Sequence, residues 1–299
     1  MASYGTSVYK CKQIAKTFKC NTNTSRPLEG LRHFSFPRSF SNVSDHAKEK
    51  HNIIFLGTPT FAADVLRDLF EDSLSPGSNF QISAVISRPT NKAHLSPVER
   101  VALDYGLPRS RLFCPTSITE TSLLAPLRDL GPCSLAITAA YGALLPNAFL
   151  ALPKYGTLNI HPSLLPKLRG AAPVQRSLES GSRITGASLV QTVLKCDAGP
   201  VLAQASVTVD PEVQAPELTD RLFRAGSRLL RQHLPEVLAG RAKAWPQDEQ
   251  AVTFTKKLAK EECGLDFGRT SAWECHNKVR ALRGWREARG RFVLLDMRA

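Results

Sequence analysis

The stretch Asn52–Phe70, NIIFLGTPTFAADVLRDLF, decides the fold class. Its first part is an unbroken apolar run closed by Gly57. After Thr58 and Pro59, the second part sets Phe61, Val65, Leu66 and Leu69 at the three-to-four spacing of a helix with one apolar stripe. An apolar run without alternation is a strand covered on both faces, and strand, tight turn and helix in succession form the unit of a parallel sheet. The alternation recurs downstream: ISAVIS (82–87), a helical pattern in SPVERVALDYG (96–106), SLAITAAYG (134–142) and GTLNI (156–160). The sequence therefore predicts a doubly wound, Rossmann-like, mostly parallel α/β sheet.

Beyond this core, TGASLVQTVLKCDAGPVLAQASVTV (185–209) reads as two alternating strands around a turn at Cys196–Pro200. A long helix follows, with Pro216 near its start and Leu218, Leu222, Phe223, Leu229 and Leu230 on one face. Trp245-Pro246-Gln247-Asp248 reads as part of a linker, placed at 241–252. After it come KKLAKEE, a helix at about 270–283 and the short strand RFVLLDM, too little to close a second core. The expected division is an arm at 1–50, a catalytic domain at 51–240, the linker, and a partial C-terminal domain at 253–299.

Composition narrows the functional classes. The 299 residues are 42% hydrophobic and 22% charged, an ordinary globular balance, and no apolar run nears the roughly 20 residues that cross a bilayer. The net charge of +13 is uneven: residues 1–50 carry 9 Lys and Arg against 3 acids, and residues 251–299 carry 11 against 6. A basic tail on a nearly neutral body is a footprint for a polyanion, or simply a solvated surface. Residues 1–44, rich in Ser, Thr and Asn with Glu29 as their one acid, have the composition of a transit peptide, mitochondrial or alternatively plastid, or else of a disordered basic arm, and lack the apolar centre of a secretory signal. The seven cysteines show no C-x-x-C pair, so reduced thiols are expected, with no structural metal.

The chemistry concentrates in TLNIHPSLLPKLRGAAP, Thr157–Pro173. Parallel α/β sheets build their sites where strands end at the carboxyl edge. Asn159 and His161, two apart in a strand, lie on one face there. Asn offers a fixed N–H to an oxygen gaining charge, and His moves a proton near neutral pH. Asp197 is the candidate third member, an acid in a turn that core packing does not explain. Each residue alone also has a bland reading: a His at a strand end is often structural, and Asp before Ala-Gly is a common turn residue.

The whole string resembles a known family. NIHPSLLPKLRGAAPVQRSL with TGASLVQTVLKCDAGPVL resembles the N10-formyltetrahydrofolate-dependent formyltransferases, and the GAAPVQR run, IIFLGTPTFAADVL and AYGALLP are similar to their methionyl-tRNA formyltransferase branch. The resemblance covers about 52–285 and implies that Asn159, His161 and Asp197 are catalytic. It further implies direct attack of an amine on the formyl carbon, with Asn159 and His161 holding the oxygen's charge and His161 with Asp197 relaying the proton. Ala140, Tyr141, Gly142, Ser163, Leu164, Leu165 and Pro166 would border N10-formyltetrahydrofolate, the formyl donor. Lys92, Arg169, Lys256, Lys257, Arg283 and Arg286 would meet initiator Met-tRNA; Arg169 meets either a phosphate or an internal carboxylate. No metal and no membrane partner are implied, and a monomer is expected.

Two features depart from the branch. The segment TNKAHLSP after Pro89 is shorter than the usual basic loop, and the branch's C-terminal β-barrel is reduced to one recognisable strand. Either the basic tail Lys256, Lys257, Lys260, Arg280, Arg283, Arg286, Arg289 and Arg291 substitutes electrostatically, or the chain is a shortened product. Two alternatives stay open: transfer to a small amine or hydrolysis of the formyl donor, and an idle folate- or RNA-binding remnant.

Overall fold

The computed structural model describes residues 50–90 and 94–290. The chain separates into two units, Met1–His46 and Ala47–Ala299, and only the second contains described residues. The expected transit segment, Lys92, Arg291 and the strand RFVLLDM lie outside them.

In chain order the elements are β1 (His51–Gly57), α1 (Thr60–Leu74), β2 (Phe80–Ile86), α2 (Pro97–Asp104), β3 (Leu112–Phe113), α3 (Ala125–Asp129), β4 (Leu135–Ala139), α4 (Asn147–Leu150) and β5 (Thr157–His161). There follow β6 (Arg169–Gly170), α5 (Pro173–Glu179), β7 (Ile184–Gln191), β8 (Val201–Thr208), α6 (Ala215–Leu238), β9 (Phe254–Thr255), β10 (Gly264–Leu265), α7 (Ala272–Leu282) and β11 (Arg289–Gly290). Seven strands form the main sheet in the order β3-β2-β1-β4-β5-β7-β8. The first five run parallel, whereas β7 and β8 are antiparallel to their neighbours. This is the mostly parallel, doubly wound sheet that the apolar runs predict.

Both faces are covered, which is why β1 needs no alternation. Ile53 and Phe55 enter one core with α1, α2 and α6, while Ile54 and Leu56 enter another with Leu123, Leu127 and Phe149. The expected alternation of β7 does not hold. Its residues Thr185–Val190 are all buried, because Leu189 packs into the α6 side and Val190 packs with Leu165 and Val201 on the other.

The segment expected as a linker is bound to the catalytic unit. Trp245 exchanges two backbone hydrogen bonds with Val201, and β9 pairs in parallel with β6. Helix α7 packs against α5 and α6 through Ala281, so the C-terminal pieces share a core with the sheet domain. Lys260–Cys263, within KKLAKEE and just beyond, forms a single 3-10 turn. Among the described residues, no helix is long and apolar enough to cross a membrane.

Candidate active site

The strands β1, β2, β4 and β5 all end at one edge, and the chemistry-bearing residues stand there. Asn159 and His161 share a face of β5, with Asn159 partly exposed and His161 buried. Asn159 is registered against Thr138 on β4, whose hydroxyl donates to its Oδ1 at 2.8 Å. That bond uses the amide's acceptor and leaves its N–H groups for a ligand; among the described residues no acceptor is bonded to them.

His161 sits between two partners. Its Nε2 is 3.0 Å from the Leu168 carbonyl, which only accepts, so this nitrogen carries a hydrogen. Its Nδ1 is 3.6 Å from Asp197 Oδ1, close enough to pair yet too long for a formed hydrogen bond. The other carboxylate oxygen, Oδ2, accepts from the Gly170 backbone N–H at 2.9 Å and the Cys196 thiol at 3.3 Å. One oxygen is thus anchored and the other turned to the imidazole. Burial, followed by the Asp197 charge, pushes the Cys196 thiol up to about 11, so it stays protonated and is a donor at neutral pH.

The sequence places these groups on strained turns. Asp197, Leu168 and Ala172 have φ of 50, 61 and 58°, left-handed values that cost energy outside glycine and persist only where surrounding bonds hold them. Gly170 is needed as glycine: its φ is 103°, and a Cβ there would lie 2.5 Å from the Thr255 carbonyl oxygen.

The residues expected around the formyl donor frame the same edge. Ala140 (φ 48°) and Gly142 (φ 78°) turn the chain directly after β4, while the Tyr141 ring is a buried core group packed with Leu145 and Phe149 and its hydroxyl is pushed above its ordinary value by burial. What this turn offers a ligand is therefore backbone. The loop Ser163–Pro166 is pinned from behind: Ser188 accepts from the Leu165 N–H and donates to the Ser163 carbonyl, and the Gln204 amide donates to the Leu165 carbonyl and to Ser188. No motif in the sequence singles out Thr138, Ser188 or Gln204.

The expected tRNA contacts divide. Lys256, Lys257, Arg283 and Arg286 are exposed, with Arg286 resting 5.5 Å from the Trp285 ring centre. Arg169 is instead internal. It is fully buried, with Nε donating to Gln247 at 2.9 Å and Nη2 to Glu249 at 2.8 Å, so the internal-carboxylate reading holds and a tRNA phosphate does not reach it. Arg280 of the basic tail is likewise buried, bonded to Asn277 and to the carbonyls of Asp210 and Val213, and is withdrawn from direct contact with a phosphate. Among the described residues, no three His, Cys, Asp or Glu side chains are grouped to hold a metal.

Comparison with known proteins shows the family. Residues 51–234 match the family described as Formyl transferase. Methionyl-tRNA formyltransferase of Lactiplantibacillus plantarum is 37% identical over 238 residues, 78% of this chain and 72% of the relative, and that of Bacillus subtilis is 35% identical over 239 residues, 78% and 72%. The N-formyltransferase from Helicobacter canadensis, solved with folinic acid and dTDP-3-aminofucose, shares the fold with a TM-score of 0.59 at 14% identity, covering 78% of this chain and 80% of that one. The family match spans more than half of the sequence and the relatives are similar over most of their length: the chain belongs to the formyl transferase family and is a formyltransferase.

Proposed function

We propose that this formyltransferase moves the formyl group of N10-formyltetrahydrofolate onto the amino group of methionine carried by initiator Met-tRNA, in an organelle, mitochondrial in the first instance. The observation that carries the reading is the convergence of Asn159, His161 and Asp197 at the sheet's carboxyl edge, in a chain whose curated relatives are methionyl-tRNA formyltransferases. The turn Ala140–Gly142, with the Tyr141 ring turned into the core, and the loop Ser163–Pro166, held in place by Ser188 and Gln204, form a fixed border beside that edge for the ring of the formyl donor.

In this mechanism the amine nitrogen bonds to the formyl carbon, and the bond from that carbon to the donor's nitrogen breaks. Asn159 donates an N–H to the formyl oxygen as negative charge gathers there. The Leu168 carbonyl fixes the hydrogen on Nε2 of His161, so the nitrogen whose proton count changes is Nδ1, shared with Asp197. This pair takes the proton shed by the amine and returns it to the departing nitrogen. Exposed Lys256, Lys257, Arg283 and Arg286, with Phe254 and Trp285 exposed among them, support a nucleic-acid substrate rather than a small amine.

The test is formyl release from N10-formyltetrahydrofolate in the presence of Met-tRNA, of small amines and of water alone. Transfer to Met-tRNA is expected to dominate and to fall at least about a hundredfold in His161→Ala, the loss typical of an acid-base group. Faster transfer to a small amine or to water, or a fully active His161→Ala enzyme, overturns the reading. A reporter fused to residues 1–44 is expected in mitochondria; retention in the cytosol overturns the organelle.

A further inference from the structure

Both groups that face the His161 imidazole are tied to one segment, 245–255, that lies far from them in sequence. On the Leu168 side, Thr253 accepts the Leu168 N–H on its hydroxyl at 2.8 Å and the Arg169 N–H on its carbonyl at 2.9 Å. On the Asp197 side the tie is the Gln247 carboxamide. Its Nε2 donates to the carbonyls of Asp197 at 2.8 Å and Gly199 at 2.7 Å, and its Oε1 accepts from Arg169 Nε at 2.9 Å. Each polar position of this amide is used, and all three bonds end on residues of the two loops that build the His161–Asp197 pair.

We infer that Gln247 is a positioning residue for the reaction, acting through Asp197. Asp197 is left-handed without being glycine, and its turn is held by bonds from outside it. The two Gln247 N–H groups fix the carbonyls on either side of Ala198 and thereby set the direction in which the Asp197 side chain leaves the turn. Through Arg169, the same amide holds the loop whose next residue, Gly170, donates to Asp197 Oδ2. The Nδ1-to-Oδ1 distance of 3.6 Å leaves a gap that a small shift of the turn either closes or opens. A misplacement of about 1 Å at such a pair costs up to about a hundredfold in rate while the bound substrates are still held as before.

The inference rests on the formyl-transfer reading of Asp197, and the experiment separates the two. Gln247→Glu keeps an acceptor for Arg169 but loses both donors to the Asp197 turn; Gln247→Leu loses all three bonds. Each is made alone and with Asp197→Asn, and kcat and KM for Met-tRNA and the formyl donor are measured on the full chain. Both single variants are expected to lower kcat at least about tenfold, with both KM values within about threefold of the parent. Added to Asp197→Asn they are expected to cost less than about twofold more, since residues acting as one unit are non-additive. Glu249→Gln, which removes the charge facing Arg169 and Lys195 but none of the Gln247 bonds, is expected to keep kcat within about twofold of the parent. A kcat near the parent's in Gln247→Glu overturns the inference, as does a loss that multiplies undiminished onto Asp197→Asn. Should either variant not fold, Gln247→Asn, one methylene shorter, is read by the same criteria. An Asp197→Asn enzyme with parental turnover overturns the role of Asp197 itself, and with it this inference, and is recognised in the single variant alone.

Discussion

Asn159 depends on a hydroxyl that no motif announces. Thr138 lies inside the run LAITA, where the sequence reads only a buried strand, and the residue is 6% exposed. Its 2.8 Å bond to Asn159 Oδ1 chooses between the two orientations of the amide, and the wrong one would aim a carbonyl at the oxygen that gathers charge. Thr138→Val keeps the volume and removes the donor, so kcat is expected to fall by about tenfold, somewhat less than losing the Asn donor itself. KM for the formyl donor should hardly change, and Thr138→Ser, which restores the hydroxyl, should recover most of the rate. Steady-state kinetics of the three proteins check this; equal kcat in the Val and Thr enzymes removes Thr138 from the site's support.

Among the elements, α2 shows how a short helix is held beside the carboxyl edge. Its eight residues are too few to be stable alone, and its start is a capping box: the Glu99 N–H donates to the Ser96 hydroxyl, and the Ser96 N–H donates to the Glu99 carboxylate. Buried Ser96 also pairs with Ser87 at the end of β2 at 2.8 Å, joining helix to sheet. Ser96→Ala is expected to cost about 1–2 kcal/mol in urea unfolding, the range for a lost N-cap. Burial alone would raise the Glu99 carboxyl, but donors from Cys114 and Ser96 overcome it and hold the group below its ordinary value of 4.5. Since this pKa is lower in the folded state than in the unfolded chain, its stabilisation is complete above the ordinary value and is lost as the pH falls below it. Unfolding midpoints between pH 7 and pH 3.5 should therefore fall less steeply in Glu99→Gln than in the parent.

For the whole molecule, the net charge of +13 matters by where it is exposed. Arg280 and Arg169 are buried, and Arg176 is bonded to Glu179 and Glu262, so none of them is free to meet a phosphate directly. Lys256, Lys257, Arg283 and Arg286 remain exposed. Phosphate contacts release counterions, so Met-tRNA affinity is expected to weaken steeply with salt while affinity for the formyl donor changes little. The double variant Arg283→Glu, Arg286→Glu should raise KM for Met-tRNA by about tenfold in moderate salt and flatten the salt slope, with kcat at saturation unchanged, because contacts equal in ground and transition states affect only binding. A slope identical to the parent's would make these side chains solvated surface and nothing more.

The sequence by itself determined the sheet and pointed to the groups proposed to react. Apolar runs such as Ile53–Leu56 report burial on two faces wherever they occur, and Asn159, His161 and Asp197 are conspicuous because polar side chains interrupt otherwise apolar strands and turns. Only the tertiary structure decided what holds those groups. Gln247 meets Asp197 across 50 positions and Arg169 across 78, distances at which no local periodicity survives, and in the sequence its neighbourhood has the composition of a linker. Arg169 reads as a phosphate ligand as readily as an internal ion, because charge is visible in a sequence but burial of a charge is not. That depends on whether partners such as Gln247 and Glu249 are brought to it by the fold, which here they are.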